Sequence, residues 1–325
     1  MGNIRLGVVG TGVIVKAMLR AVQRVDGIEA VAVCSRDEGR GRGMGLDRVY
    51  TDLDDMLKDE ELDAIYIAVP NIMHFDMAKK VLLAGKHCLL EKPFCVREEQ
   101  VRELVGIAQS KHLMIMETIP PAYGENIRYI EKVLPEIGRI RLVISNFSQY
   151  SSRYDLLKKG EKPYMFDVNY GGGALMDINY YNIFLNAFLF GRPEKVLYQA
   201  NLWDGIDTSG VLTLRYRDFV STNAGAKDTW GENFFLIEGE NGNIRVIDGT
   251  DSIPEVELVT RERTERFNRQ SEELRMDYEV EYFVCALREG IPADVYERLE
   301  ITADAVWIAE QARKSGEVHF PGDEK

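Results

Sequence analysis

Ile4-Arg5-Leu6-Gly7-Val8-Val9-Gly10-Thr11-Gly12-Val13-Ile14-Val15 decides the fold. Ile4 to Val9 is a short apolar run of strand type. Past the glycines, Met18, Leu19, Val22 and Val25 recur at helical spacing. The order is strand, glycine turn, helix. Gly10 permits the tight bend. Gly12 removes the Cβ that would keep a pyrophosphate from the helix N-terminus, where free N–H groups and the dipole attract anions. Gly10, Thr11, Gly12, Val13 and Ile14 are therefore the expected phosphate-side contacts of a dinucleotide. The third glycine of the usual fingerprint would fall at position 15, where Val15 stands. That position governs helix–strand packing rather than phosphate contact. A Gly-x-Gly by itself is also compatible with an ordinary structural turn.

Working outward, Ile28 to Cys34 reads as a second strand, ending in Ser35-Arg36-Asp37. About 20 residues past a glycine turn, this position reads the adenosine ribose. A hydroxyl and a guanidinium suit a 2′-phosphate, with Arg40 or Arg42 adding charge, so Ser35 and Arg36 favour NADP over NAD. The competing arrangement has Arg36 stacked on adenine and Asp37 on the ribose. Asp52 to Leu57 reads as a capped short helix. Ala64 to Val69 is a near-continuous apolar strand, as expected of a parallel sheet covered on both faces. It stops at Pro70-Asn71, ahead of a helix from about Ile72 to Ala84 whose first turn holds His74. A strand from His87 to Leu90 runs into Glu91-Lys92-Pro93, which places a lysine at the carboxyl edge of the sheet, where open α/β sheets put their ligands. A helix over Val96–Ser110 and a strand over Leu113–Thr118 follow. This alternation predicts a doubly wound parallel α/β sheet over residues 1–120.

Composition narrows the function. Of 325 residues, 45% are apolar and 29% charged, with net charge 40 − 53 = −13. That argues against nucleic acid or an anionic membrane as the main partner. No apolar run approaches the ~20 residues of a membrane helix. Cys34, Cys88, Cys95 and Cys285 form no CxxC and read as reduced core or near-core thiols of a cytoplasmic protein. Four scattered histidines give no metal-site spacing, so no metal is expected.

Gly10-Thr11-Gly12, Pro70-Asn71-x-x-His74, Ala84-Gly85-Lys86-His87 and Glu91-Lys92-Pro93 stand in an order and spacing that resembles the Gfo/Idh/MocA oxidoreductases. The resemblance implies that Val69, Pro70, Asn71, His74, Glu91 and Lys92 lie around the nicotinamide end of a bound NADP or NAD. It also implies a second domain, over 121–325, with an open, predominantly antiparallel sheet that makes homodimers or homotetramers. The residues agree with such a domain. A helix at about 125–134 leads to a strand at 140–150, then strands at about 195–203, 209–216, 219–226, 233–239 and 243–247. Two helices, at about 271–289 and 297–315, close the chain. The charged stretch 261–281 reads as a solvated helix face and its approach.

Gly171-Gly172-Gly173-Ala174-Leu175-Met176-Asp177 opens an apolar helix to Phe190. In the family this Asp and a His four residues later face the nicotinamide. Here the second position is Tyr181, and Asn179 replaces a customary Gly. Tyr in that position resembles the dihydrodiol and xylose dehydrogenases and glucose–fructose oxidoreductase. A four-step spacing puts Asp177 and Tyr181 on one helix face. A phenol titrates near 10, and a neighbouring ammonium lowers that value. The implied reaction moves a hydride between nicotinamide and a carbinol or carbonyl carbon of a sugar, polyol or cyclic alcohol. Lys92 polarises the oxygen, Tyr181 shuttles the proton, and Asp177 binds a substrate hydroxyl or orients Lys92. Tyr181 also fits as a packing aromatic beside Tyr180 and Phe184. His74 reads as a helix-start residue near the cofactor and His87 as structural. Tyr123, Asn126, Tyr164, Asp167 and Trp230 are candidate pocket residues. Two other activities remain open: a glycosidase or lyase using NAD as a transient oxidant, and a non-catalytic dinucleotide sensor.

Overall fold

The computed structural model describes residues 2–323 and divides into two compact units. The first opens with β1 (Ile4–Val9), α1 (Val13–Arg24), β2 (Ile28–Cys34), α2 (Glu38–Arg42), β3 (Arg48–Tyr50), α3 (Leu53–Leu57), β4 (Ala64–Ile67), α4 (His74–Leu83), β5 (His87–Glu91), α5 (Glu98–Lys111) and β6 (Ile115–Thr118). The strands form one parallel sheet in the order β3-β2-β1-β4-β5-β6. That is the doubly wound arrangement, whose order reverses between β1 and β4. Its central strands are apolar because helices cover both faces. Val15, Met18, Ala21 and Val22 give α1 its buried stripe. Asp52 caps α3 by accepting from the Asp54 and Asp55 amides at 2.8 and 3.2 Å.

The second unit holds α6 (Glu125–Val133), β7 (Ile140–Ser148), α7 (Ser152–Lys158), a π-helical turn (Leu175–Asn179) continuing into α8 (Tyr180–Phe190), and seven further strands. These are β8 (Lys195–Trp203), β9 (Ile206–Arg215), β10 (Val220–Ala226), β11 (Phe234–Gly239), β12 (Gly242–Ile247), β13 (Glu255–Thr260) and β14 (Thr264–Phe267). The sheet order is β14-β13-β12-β11-β7-β10-β9-β8. Of its neighbours, β7 and β10 pair parallel and the others antiparallel. One face carries a core built from Ile127, Val143, Phe235, Ile244, Val256 and Leu258.

Two helices end the chain, α9 (Arg275–Arg288) and α10 (Asp294–Ser315). Three expectations change here. Residues 273–300, placed with the second domain by the sequence, belong to the first unit. There α9 packs on α1, and Arg24 Nε donates to Asp277 at 2.6 Å. The charged stretch before α9 is not a helix approach. It contains part of the β13–β14 hairpin, which the sequence reading passed over. In β13, Val256 and Leu258 point to the core while Glu255 and Glu257 alternate outward. In β14, Arg266 sits opposite Glu257 and bonds it at 2.7 Å. Charges of this kind protect a sheet edge. Finally, Cys34, Cys88 and Cys95 are buried free thiols, but Cys285 is exposed rather than near-core. Among the described residues, no helix is long and apolar enough to cross a membrane.

Candidate active site

The first unit carries the glycine turn. Gly10 has φ +115°, and a Cβ there would stand 2.3 Å from the Ala68 carbonyl oxygen, so the bend requires glycine. Gly12 is different. It is the N-cap of α1, its side chain position meets nothing within 4 Å, and the first turn contains no acid. Nothing in the chain's own packing calls for glycine there. An open backbone at a bare helix N-terminus fits the pyrophosphate of a dinucleotide. Val13 is 84% exposed, and Ile14 is exposed as well. Val15, at the missing third glycine, is fully buried and completes the helix–strand contact.

At the end of β2, Asp37 is engaged. It caps α2 by accepting from the Arg40 amide at 3.0 Å, and it pairs with the Arg40 guanidinium at 3.5 Å. Ser35 Oγ accepts from the Asp37 amide at 3.3 Å. Arg36 is exposed and has no ion pair among the described residues. Arg42 is taken by Glu38 at 2.6 Å.

The Glu91-Lys92-Pro93 turn ends β5, and its Lys92–Pro93 peptide is cis. Beneath it, Glu91 is buried and accepts from Tyr66 Oη at 2.6 Å, Thr118 Oγ1 at 3.0 Å and the Lys92 amide at 3.2 Å. Burial raises its carboxyl above the usual range, against those bonds and the Lys92 charge. His74, the first residue of α4, is also fully buried. Its Nδ1 lies 2.9 Å from the Pro93 carbonyl and its Nε2 2.9 Å from the Val69 carbonyl. Burial lowers the imidazole below its ordinary value, despite the carbonyls that favour a proton. His74 therefore ties the turn after β5 to the turn after β4. Glu91 and His74 were expected as cofactor contacts. Both face inward instead and brace the Lys92 turn. Lys92, Val69, Pro70 and Asn71 stay half-buried at the carboxyl ends of these strands.

A third carboxyl deepens this ground. Glu279 of α9 is fully buried, and neither of its oxygens has a hydrogen-bond partner among the described residues. Burial first, then the nearby Glu91, push it far above the usual carboxylate range, so it is held neutral. Glu117 is buried as well and accepts from the Phe94 amide at 3.0 Å. His87 accepts from the Met114 amide at 3.0 Å, a structural bond.

The second unit carries the glycine-rich block. A Cβ on Gly172 would meet the Met165 carbonyl at 2.4 Å, and one on Gly173 (φ +104°) would meet Asp207 Oδ1 at 2.0 Å. These glycines admit the chain's own atoms. Asp207 then accepts from the Leu175 amide at 2.6 Å and from Tyr198 Oη at 2.8 Å. The helix is pinned to β10 by buried amides. Asn179 Nδ2 donates to the Asn223 carbonyl at 3.2 Å, Asn182 Nδ2 to the Ala224 carbonyl at 3.1 Å, and Asn186 Nδ2 to Asn223 Oδ1 at 2.8 Å. Asn179 has room because Gly225 lies opposite, where a Cβ would come within 2.4 Å. A glycine on β10 thus accommodates the side chain that replaces the customary helix glycine.

Asp177 bonds a residue to which the sequence reading gave no role, Lys227 just past β10. Tyr181 packs edge-on against Phe147, with ring centroids 5.8 Å apart, beside Ala174 and Ile178. Of the candidate pocket residues, Asn126 is corrected. It is fully buried, its amide donates to the Ile253 carbonyl at 2.7 Å, and it accepts from the Arg269 amide at 3.0 Å, so it staples loops. Asp167 caps the next turn through the Asn169 amide at 2.9 Å. Tyr164 is exposed, Tyr123 half-buried, and Trp230, 75% exposed, stacks on Tyr150. Lys227 carries a signal much like that of Lys92, a lysine at a strand's end (Ala226-Lys227-Asp228), but no motif marks it. Glu279 lies in a charged stretch that hides a buried acid.

Comparison with known proteins agrees with this geometry. Residues 4–119 match the oxidoreductase family with an NAD-binding Rossmann fold, and residues 135–245 match the GFO/IDH/MocA C-terminal domain. The chain is 30% identical to scyllo-inositol 2-dehydrogenase (NADP(+)) of Bacillus subtilis (strain 168) over 99% of both chains. It is 26% identical to trans-1,2-dihydrobenzene-1,2-diol dehydrogenase of Sus scrofa, over 98% of this chain and 99% of that one. A crystal structure of a 3-ketoreductase from Actinomadura kijaniata with NADP and TDP-benzene shares the fold, with TM-score 0.81, 21% identity and coverage of 97% and 98%. The chain belongs to the Gfo/Idh/MocA oxidoreductase family and is an NAD(P)-dependent oxidoreductase.

Proposed function

We propose that this protein is an NADP-preferring dehydrogenase or reductase acting on one CH–OH group of a neutral sugar, polyol or related cyclic alcohol. The observation that carries the reading is the braced turn at Lys92. Glu91 and His74 hold it from below while the lysine itself stays half-buried at the carboxyl edge of the sheet. Gly10, Thr11, Gly12, Val13 and Ile14 would hold the pyrophosphate side of the cofactor, Ser35 and Arg36 its adenosine side, and Val69, Pro70 and Asn71 the nicotinamide side. When bound, NADP supplies two-electron redox chemistry at a carbon centre. Lys92 binds and polarises the substrate oxygen. Tyr181 moves the proton on that oxygen, and Asp177 accepts a hydrogen bond from a substrate hydroxyl. The preference for NADP is supported by Arg36, exposed and without an ion pair among the described residues, and by Asp37, whose carboxylate is already engaged. Two of the relatives are named for a cyclic polyol and a cyclic diol, which supports the substrate class.

The same reading includes a homodimer or homotetramer through the open face of the eight-stranded sheet. Leu142, Ile144 and Leu236 are half-buried there, and Leu197 and Val211 are exposed. An apolar face of this extent calls for cover. Light scattering on eluted protein reads the oligomer directly.

The catalytic assignment is tested with Lys92→Ala. Loss of turnover with retained NADP affinity supports it. Turnover at the wild-type rate would refute the role of Lys92.

A further inference from the structure

A cavity of 650 Å³ opens at the amino edge of the parallel sheet, within the first unit. Ile4 and His87 are on its wall, and each begins its strand, β1 and β5. The Lys92 turn follows the other end of β5, so the cavity is a different place from the catalytic edge. Its volume lies within the range of small-molecule sites, about 300–1,000 Å³. The polar groups on its wall have defined roles. His87 Nδ1 accepts from the Met114 amide at 3.0 Å, and burial lowers the imidazole below its ordinary value, so the neutral ring carries its proton on Nε2. That Nε2–H has no partner among the described residues and is not shut off from solvent. Tyr296 Oη donates to the Leu113 carbonyl at 3.0 Å, so it has only lone pairs left to offer. Arg288 lines the cavity from the end of α9 and has no ion pair or hydrogen bond among the described residues. Its guanidinium rests on the backbone of Gly27, where a Cβ would come within 1.9 Å of Nη2. Asp63, directly before β4, accepts from the Arg5 amide through Oδ2 at 2.8 Å and has no ion pair among the described residues. Its charge reaches the His87 ring. His112, also on the wall, is exposed.

The wall has an apolar side as well. Ile291 has φ +60°, a left-handed conformation in which a β-branched residue is strained, and its amide is anchored on the Ala286 carbonyl at 2.8 Å. The strained residue adds an aliphatic wall to that of Ile4. One guanidinium and one carboxylate, not paired with each other, restrict what the cavity holds. A simple anion suits Arg288 but meets Asp63 as a like charge. A simple cation has the reverse difficulty. A neutral ligand strips water from both charges and pairs neither. A zwitterion pairs both. Arg288 and His87 donate, as a carboxylate requires, and Asp63 and Tyr296 accept, as an ammonium requires.

We propose that this cavity is a second binding site and takes a free α-amino acid with an apolar side chain. The carboxylate binds Arg288 and the His87 Nε2–H, the ammonium binds Asp63 and Tyr296 Oη, and the side chain lies on Ile4 and Ile291. The site stands apart from the chemistry at Lys92 and does not depend on which alcohol is oxidised there.

The test is isothermal titration calorimetry on the full-length protein with L-leucine, L-valine and L-phenylalanine. At least one is expected to bind saturably, at one site per chain. The tightest is then compared with the two analogues that lack its ammonium or its carboxylate, such as isocaproate and isoamylamine for L-leucine. Each analogue is expected to bind roughly 10-fold or more weakly, because it leaves one wall charge unpaired. Arg288→Met and Asp63→Asn are each expected to weaken the amino acid by roughly 10-fold or more. Both side chains are exposed, so Tm and NADP affinity are expected to stay near wild type in both variants. No saturable binding by any of the three amino acids, an analogue as tight as its parent, or undiminished binding in either variant would overturn the proposal.

Discussion

His74 gives the sharpest structural prediction. Its ring sits fully buried between the Val69 and Pro93 carbonyls, 2.9 Å from each. His74→Leu keeps apolar bulk but offers neither carbonyl a donor. One buried acceptor losing its partner costs about 1–3 kcal/mol. For a unit of this size that corresponds to a fall in Tm of roughly 2–12 °C. Function suffers through geometry as well. The two turns that His74 joins carry Lys92 on one side and Pro70-Asn71 on the other, and a displacement of ~1 Å at a reacting group costs on the order of 10²-fold in rate. His74→Gln, with one amide donor, is expected to recover part of both losses. The assays are thermal unfolding followed by circular dichroism, NADP affinity, and kcat with the best substrate. The pH dependence adds a second check. The imidazole is held below its ordinary value in the fold, so the unfolded chain binds the proton first, and the wild type loses stability as pH falls below about 6.5. His87 is lowered in the same direction by burial, so His74→Gln flattens that slope without abolishing it. An unfolding midpoint within about 1 °C of wild type for His74→Leu, with unchanged kcat, would refute the bracing role.

Two further outcomes follow from named groups. Arg36→Ala is expected to weaken NADP binding by roughly 10-fold or more while leaving NAD affinity near its starting value, because one charge-assisted contact contributes about 1.5–3 kcal/mol; an unchanged NADP/NAD affinity ratio from equilibrium titration would refute the assignment of Arg36. Glu279→Gln removes a carboxyl that the fold holds neutral. The folded chain keeps that proton where the unfolded chain releases it, so the wild type gives up stability as pH rises above the ordinary carboxylate value, at up to about 1.4 kcal/mol per unit. The variant is therefore expected to match the wild type near pH 4 and to exceed its Tm increasingly at higher pH. Parallel curves from pH 4 to 8 would contradict it.

The sequence made the first unit legible because each of its signals is local. The glycine turn, the short apolar strands and Glu91-Lys92-Pro93 each carry their meaning within a few residues, and the parallel sheet follows from their alternation. What stayed hidden depends on tertiary contacts. The period-two pattern of Val256 and Leu258 was masked by the charges between them, so β13 and β14 went unread. Segment 273–300 gives no sequence cue that α9 packs on α1. His74 and Glu91 read as cofactor contacts, because a sequence does not say whether a polar side chain faces a ligand or the core. Asn179 departs from the family pattern, and only the fold brings Gly225 opposite it. Lys227 had no motif at all. Only the end of β10 brings it to Asp177, 50 positions away in the chain.

The central claim, turnover of a neutral polyhydroxylated substrate with NADP, is tested most directly by following reduced-nicotinamide absorbance over a panel of inositols, aldoses, cyclic diols and hydroxy acids with NADP and with NAD. The account predicts formation of NADPH with at least one neutral sugar, polyol or cyclic diol, faster at low cofactor concentration than formation of NADH, and none with the hydroxy acids. Absence of reduction across the neutral panel, or turnover confined to hydroxy acids, would contradict it.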